Sequence, residues 1–178
     1  MLPFSWPGRV TMFIRFVTTG GTIDKIYFDA MSQFEVGESQ VKHILTEGLA
    51  NIDYDVVSMF RKDSLDLTDD DRRALKEYIE NDDADRYVIS HGTDTMVETA
   101  EVLATIPGKT IVLTGALSPA RFKTTDAVFN VGMAVAAVQT AKPGVYLAIS
   151  GQVFEAGKVR KNRDANCFER TVPPTDRS

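Results

Sequence analysis

Residues 86–114 read RYVISHGTDTMVETAEVLATIPGKTIVLT. Residues 86–90 are a short β-forming run, and 91–94 are small and polar. Met96, Ala100, Leu103 and Ile106 then recur at helical spacing, and 110–114 form a second β-forming run. Thr95 and Glu98 have the spacing of a capping box, which predicts a helix from about 95 to 105. Neither run alternates apolar with polar residues, so both read as strands covered on two faces. A strand, a helix and a strand joined by short connections predict a parallel pair with a crossover helix.

The same alternation extends in both directions. MFIRFVT at 12–18 reads as a strand ending at Gly20-Gly21, 39–49 as a helix, and YDVVSMF at 54–60 as a strand. A helix is predicted over 69–81, entered through a Thr68/Asp71 capping box. Beyond 114 come a helix at about 124–140 and a strand at 144–150. The fold class is therefore α/β: a single open, mainly parallel β-sheet with helices on both faces. One domain is expected over 1–178, with 1–11 a loose extension, 24–37 a mobile polar loop and 169–178 a polar tail.

Composition narrows the function classes. A net charge of -5 argues against a nucleic-acid binder, and no apolar stretch approaches membrane-spanning length. The single cysteine, Cys167, cannot form an internal disulfide, so a reducing, cytoplasmic setting is expected. His43 and His91 stand far apart without ligand spacing, so no metal is expected, and Gly20-Gly21 matches neither a dinucleotide fingerprint nor a phosphate loop, so no cofactor is expected.

In an open parallel sheet, ligands bind beyond the carboxyl ends of the strands. The segments that follow the strands carry Thr18–Thr22, then Asp63 and Ser64, then His91–Asp94, then Gly115, Ala116 and Ser118, then Ser150 with Lys161 further on. Hydroxyls, carboxylates and one lysine thus converge on one edge. Each has an ordinary alternative. Gly20-Gly21 suits a tight turn, although glycine there also lets the backbone approach a substrate while Thr22 points at it. Thr93, Asp94 and Thr95 suit helix capping, although free N–H groups there can also hold an oxyanion. Lys161, in a cluster with Lys158, Arg160 and Arg163, suits a solvated surface. As a proton partner for a threonine it must instead be partly buried. Tyr27 either packs or closes over a site.

Taken together, these residues resemble the bacterial-type L-asparaginases. The resemblance lies in Thr18-Thr-Gly-Gly-Thr-Ile23, in His91-Gly-Thr-Asp-Thr-Met96 with Glu98-Thr99-Ala100, in Leu113-Thr-Gly-Ala-Leu-Ser-Pro119, in Asp126-Ala-Val-Phe-Asn130, and in Gly157-Lys-Val-Arg-Lys161. It runs from about Met12 to Phe168 and implies a sheet like the family's N-terminal domain, closed by a lysine-bearing C-terminal hairpin. It matches Thr22 to the loop's nucleophilic threonine, Tyr27 to its activating tyrosine, and Thr93 to the second catalytic threonine with Lys161 as partner, and either Thr22 or Thr93 can attack first. Asp94 would hold the substrate ammonium and Ser64 its α-carboxylate. Ala116 would present its carbonyl near the leaving amide nitrogen, and Gly21, Asp63 and Gly92 complete the expected substrate contacts. Long members are about twice this length and carry a second, smaller domain that reaches a neighbouring subunit's site. This chain resembles a short, single-domain branch.

The implied function is hydrolysis of L-asparagine to L-aspartate and ammonia, with a small amino acid as the partner and no nucleic acid or membrane. A homodimer or homotetramer is expected, because the site needs cover from water. A broader ω-amidase or glutaminase is the rival enzyme, and a non-catalytic asparagine or aspartate binder is the rival from another class.

Overall fold

The first apolar run becomes β1 (Phe13–Gly20), and the computed structural model describes residues 12–28 and 33–171, with the backbone alone at 27, 28, 33 and 34. The loose extension expected at 1–11 and the end of the tail, 172–178, lie outside the described residues. After β1 come β2 (Lys25–Phe28), β3 (Gln33–Val36), α1 (Val41–Glu47), β4 (Asp53–Lys62), α2 (Asp69–Asn81), β5 (Arg86–Ser90), α3 (Met96–Leu103) and β6 (Thr110–Thr114). The remainder is α4 (Ala127–Thr140), β7 (Gly144–Ile149), β8 (Gln152–Glu155), β9 (Val159–Asn162) and β10 (Cys167–Arg170).

Six strands form one sheet in the order β4-β1-β5-β6-β7-β8. The first five run parallel, and β8 turns back antiparallel on β7. The mainly parallel α/β sheet read from the sequence is therefore the one observed. Alternate residues of each strand serve opposite faces. Val17, Ile89, Leu113 and Ile149 pack with Leu75 and Ile79 of α2 and Met96, Ala100 and Leu103 of α3. Phe16, Val88, Val112 and Ala148 pack with Val41, Ile44 and Leu45 of α1 and Val131, Ala134 and Val138 of α4. Burial on both faces explains why these strands read as continuous apolar runs.

The topology creates the crevice. From β1 the chain crosses to β4 on one side and then to β5 on the other, so β1 is the point where the winding reverses. The loops leaving β1 and β5 therefore part from neighbouring strand ends. A register shift between Thr18 and Gly20 ends the pairing of β1 with β4 and turns the chain out of the sheet. At the opposite end, Arg15 bridges Asp55 and Asp82, and the Tyr87 hydroxyl donates to Asp82 at 2.8 Å, closing that edge with ordinary ion pairs.

Three expectations are corrected. The 24–37 segment, expected as a loop, contains the antiparallel pair β2–β3, in register from Lys25–Val36 to Phe28–Gln33. Its short, partly polar strands lie outside the main sheet, so the apolar runs that mark the other strands are absent. The second capping box does not form. Thr95 stands at the N-cap of α3 with no side-chain cap bond, because its hydroxyl donates to the Ser64 carbonyl at 2.7 Å instead. The tail does not begin at 169, since Glu169 and Arg170 pair with Arg160 and Val159 in β10. The capping box at Thr68/Asp71 does form, and Lys62 pairs with the same Asp71 carboxylate at 2.8 Å.

Candidate active site

The site is built on close backbone approaches that only glycine permits. Gly21 has φ of +90°, and a methyl there would stand 2.4 Å from the Gly92 nitrogen. Gly92 in turn lies against Ser64, where a methyl would stand 2.6 Å from Cβ and from Oγ. The turns after β1, β4 and β5 are thereby stacked, which brings Thr22, Ser64 and Thr93 onto one edge. Gly21 N–H also donates to the Lys62 carbonyl at 2.9 Å, and the Thr19 hydroxyl donates to the Ser90 carbonyl at 3.0 Å. Thr22 opens a single 3-10 turn, Thr22–Asp24, and is half-buried.

Thr93, Asp94 and Lys161 meet at this edge. Lys161 Nζ donates to Thr93 Oγ1 at 2.6 Å and to Asp94 Oδ1 at 2.7 Å. The lysine side chain is 7% exposed and the aspartate 41%. Lys161 is therefore not a solvated surface residue like its cluster neighbours. The β9–β10 hairpin folds back and lays it under the Thr93 turn, with the ring of Phe168 5.9 Å from its ammonium. A buried lysine that touches both a hydroxyl and a carboxylate can exchange a proton with the hydroxyl while the carboxylate steadies its charge. Asp94, half open beside it, leaves carboxylate surface for a cationic ligand.

Ser64 is buried, and its Oγ accepts the Asp94 N–H at 3.3 Å. Asp63 faces Lys25 at 2.7 Å. Burial works to raise the Asp63 pKa, but the Lys25 ammonium and the Leu65 amide outweigh it and hold the group below the usual carboxylate range. Asp63 therefore ties the start of β2 to the Ser64 turn. Ala116 is buried within the loop that follows β6. Tyr27 lies on β2, and its side chain is outside the described residues. An open cavity of about 640 Å³ reaches the Lys161–Asp94 pair between α3 and the hairpin, lined by Val97, Glu98, Arg160 and Arg163, but not by Thr22, Ser64 or Thr93. The stacked turns are a better location for a small ligand than this cavity, because the hydroxyls lie there. Among the described residues, no cluster of His, Cys, Asp and Glu could hold a metal ion. No helix among them is long and apolar enough to cross a membrane.

Two supports beneath the site were not read from the sequence. His91 is fully buried, with Nδ1 2.7 Å from the Gly92 carbonyl and Nε2 2.8 Å from Thr99 Oγ1. Arg72 Nε donates to that same hydroxyl at 3.2 Å. The Thr99 proton therefore points at Nε2, and the Gly92 carbonyl takes the proton on Nδ1, which makes His91 neutral. Asn130 is the second support. Its Nδ2 donates to the Gly115 carbonyl at 2.9 Å, and its Oδ1 accepts the Ser150 N–H at 3.0 Å, joining the loops after β6 and β7. The signal for both was present in the polar Thr99 and Asn130 at buried positions of α3 and α4, but their partners Arg72 and Ser150 are distant in sequence.

Burial pushes the His91 pKa down to about 4. An unfolded imidazole takes a proton near 6.5, so stability from the neutral ring is complete above that pH and is lost as pH falls toward 4. Urea unfolding should therefore show a more positive stability slope between pH 4 and 6.5 in the wild type than in His91→Gln. Equal slopes would mean that the ring titrates normally.

The Asparaginase, N-terminal family matches residues 13–172. Over 97 residues the chain is 38% identical to a glutamyl-tRNA(Gln) amidotransferase component of Methanococcus maripaludis, covering 49% of this chain and 23% of that one. Over 174 residues it is 31% identical to L-asparaginase 2 of Escherichia coli, covering 90% of this chain and 49% of that protein. The solved thermostable L-asparaginase from Thermococcus kodakarensis superimposes with a TM-score of 0.79 at 25% identity, covering 92% of this chain and 52% of that one. The chain thus spans about half the length of the asparaginases it matches along most of its own length.

Proposed function

The chain belongs to the asparaginase family, matching the family's N-terminal domain over 13–172, and from that premise we propose that it hydrolyses the side-chain amide of L-asparagine to L-aspartate and ammonia by threonine chemistry. The observation that carries this reading is Lys161 Nζ at 2.6 Å from Thr93 Oγ1 and 2.7 Å from Asp94 Oδ1. In its free-amine form Lys161 takes the Thr93 proton, and Asp94 holds the ammonium that results. A threonine oxygen adds to the amide carbon, the C–N bond breaks, and the nitrogen leaves as ammonia with the returned proton. Water then cleaves the ester to free the carboxylate and restore the hydroxyl.

Of the two threonines, Thr93 has a proton partner in bonding distance, which supports it as the activated hydroxyl. Thr22, on the turn stacked against Gly92, supplies the second hydroxyl, with Tyr27 as its proton partner. Asp94 and Ser64 suit the ammonium and carboxylate of an amino-acid substrate, and the Ala116 carbonyl suits its amide nitrogen. Gly21, Gly92 and Asp63 shape the walls. No cofactor enters this scheme.

Ammonia release from L-asparagine and from L-glutamine tests the proposal against its rivals. Faster release from asparagine supports it, comparable release from both favours a broader ω-amidase, and saturable binding without release favours a binding module. Asp94→Asn should raise KM for asparagine at least about tenfold and also lower kcat, because one carboxylate serves both the ammonium and Lys161. A helix-capping aspartate would instead leave kinetics normal and cost about 1 kcal/mol of stability.

We also propose that the protein works as a homodimer or a dimer of dimers. Leu117, in the loop after β6, and Val128 and Phe129, at the start of α4, are exposed apolar residues that a neighbouring copy would cover. Light scattering at micromolar concentration should give at least twice the monomer mass, and a fully active monomer would contradict it. The lone cysteine, Cys167, and its free thiol support a reducing, cytoplasmic setting.

A further inference from the structure

Asp24 ends the turn that begins at Thr22, and it is 1% exposed. Its Oδ1 accepts the Gln40 N–H at 2.8 Å, its carbonyl accepts the Gly37 N–H at 2.9 Å, and its own N–H donates to the Gly21 carbonyl at 3.1 Å. Gln40, itself buried, passes the connection onward, since its Oε1 accepts from Arg121 Nε at 3.2 Å. Beside these bonds, the Ile23 carbonyl accepts the Ala120 N–H at 3.1 Å. Three segments are therefore joined around Asp24: its carboxyl and backbone tie the Thr22 turn to the end of the β2–β3 unit at 37–40, and the Gln40 side chain and the Ile23 carbonyl carry the connection to the loop after β6 that holds Ala116.

We propose that Asp24 is a positioning residue for the proposed hydrolysis, its buried carboxyl fastening the Thr22 turn to Gln40 and, through Gln40, to Arg121 in the loop after β6. The inference rests on the asparaginase reading for what Thr22 does, but the fastening itself is independent of it. A carboxyl is an expensive way to accept one N–H in a buried place, where an aliphatic residue would pack against neighbouring Ile23 without desolvation cost. What the carboxyl adds is a fixed direction for the turn. Among the described residues, nearby charged groups pair elsewhere: Lys25 with Asp63, Glu38 with Arg61, His43 with Glu47, Asp126 with the Leu117 and Ser118 amides, and Arg121 with Gln40 Oε1, so burial and the Gln40 amide alone act on the Asp24 carboxyl. Left without a cation, Asp24 is pushed by burial up to a pKa of about 7, against the Gln40 amide that favours ionisation. Below neutral pH the group is thus largely an uncharged acceptor, and asparagine is its closest replacement.

The test compares the wild type with Asp24→Ala and Asp24→Asn at pH 6, by steady-state ammonia release from L-asparagine and by hydrogen exchange at the Gly37 and Gln40 amides. Displacing a reacting group by about an ångström costs on the order of 10²-fold in rate. Asp24→Ala should therefore lower kcat by about ten- to a hundredfold with KM within about threefold, and should speed exchange at Gln40. Asp24→Asn should restore both readouts to near the wild-type values, which a loss of packing alone would not explain. Wild-type kcat in Asp24→Ala, or Gln40 exchange unchanged in that variant, overturns the proposal. If Asp24→Ala does not fold, an Asp24→Asn protein that folds but has fast Gln40 exchange overturns it, and one with wild-type exchange and kcat supports it. If the wild type itself releases no ammonia, the hydrolase reading falls, and the exchange arm alone decides the role of Asp24.

Discussion

Thr93→Val is expected to lower ammonia release from L-asparagine by about 10³-fold, the scale on which positioned proton transfer and nucleophile activation act together. Valine keeps the branched shape and removes only Oγ1, the atom 2.6 Å from Lys161 Nζ. The fold should survive, because Asp94 still pairs with the buried lysine at 2.7 Å and the stacking of Gly92 on Ser64 is untouched. Lys161→Met should cost a comparable factor, and the double variant should be hardly slower than either single one, since the two groups act in one proton transfer. Steady-state kinetics with thermal melts on the three variants check this. Multiplicative losses would mean that the two residues contribute independently.

The second large effect is expected at Gly21. Gly21→Ala combines a backbone at φ of +90° with a methyl 2.4 Å from the Gly92 nitrogen, and that nitrogen belongs to main chain and cannot swing aside. The combined strain and overlap should destabilise the protein by about 3 kcal/mol or more and abolish measurable hydrolysis, because the turns bearing Thr22 and Thr93 must part. Gly108→Ala is the control. It has φ of +77° with nothing within 4 Å of the added carbon, so strain alone should cost about 1 kcal/mol with normal kinetics. Urea unfolding of both variants separates overlap from strain, and similar losses in the two would mean that the close approach of Gly21 to Gly92 is not limiting.

The sequence made the fold readable wherever local and global signals agreed. Strands 86–90 and 110–114 and the helix at 69–81 have their predicted bounds, because apolar runs buried on both faces and a closed Thr68/Asp71 box leave little choice. The helix expected from 124 begins at Ala127, since Asp126 turns its carboxylate to the Leu117 and Ser118 amides and fixes the preceding loop instead. Thr95 misled in the same way, because a hydroxyl three residues before a glutamate caps a helix only if no nearer carbonyl competes, and here the Ser64 carbonyl does. Lys161 could be assigned only through family resemblance. A basic cluster gives no sign that the β9–β10 hairpin buries one member and leaves Lys158, Arg160 and Arg163 outside. Thr99 with Arg72, Asp24 with Gln40, and Asn130 with Ser150 were illegible for a common reason. Each is a buried polar residue whose partner lies far along the chain or in a loop, and spacing alone does not reveal such pairs.

The central claim is that the Thr93–Lys161–Asp94 arrangement performs hydrolysis and does not merely bind an amino acid. The most direct measurement follows ammonia and aspartate together during incubation of L-asparagine with the wild type and with Lys161→Met, with asparagine binding to each measured by calorimetry. The account predicts that the wild type releases the two products one for one, and that Lys161→Met still binds asparagine but releases about 10³-fold less. Equal release by both proteins, or binding to the wild type with no release at all, would contradict it.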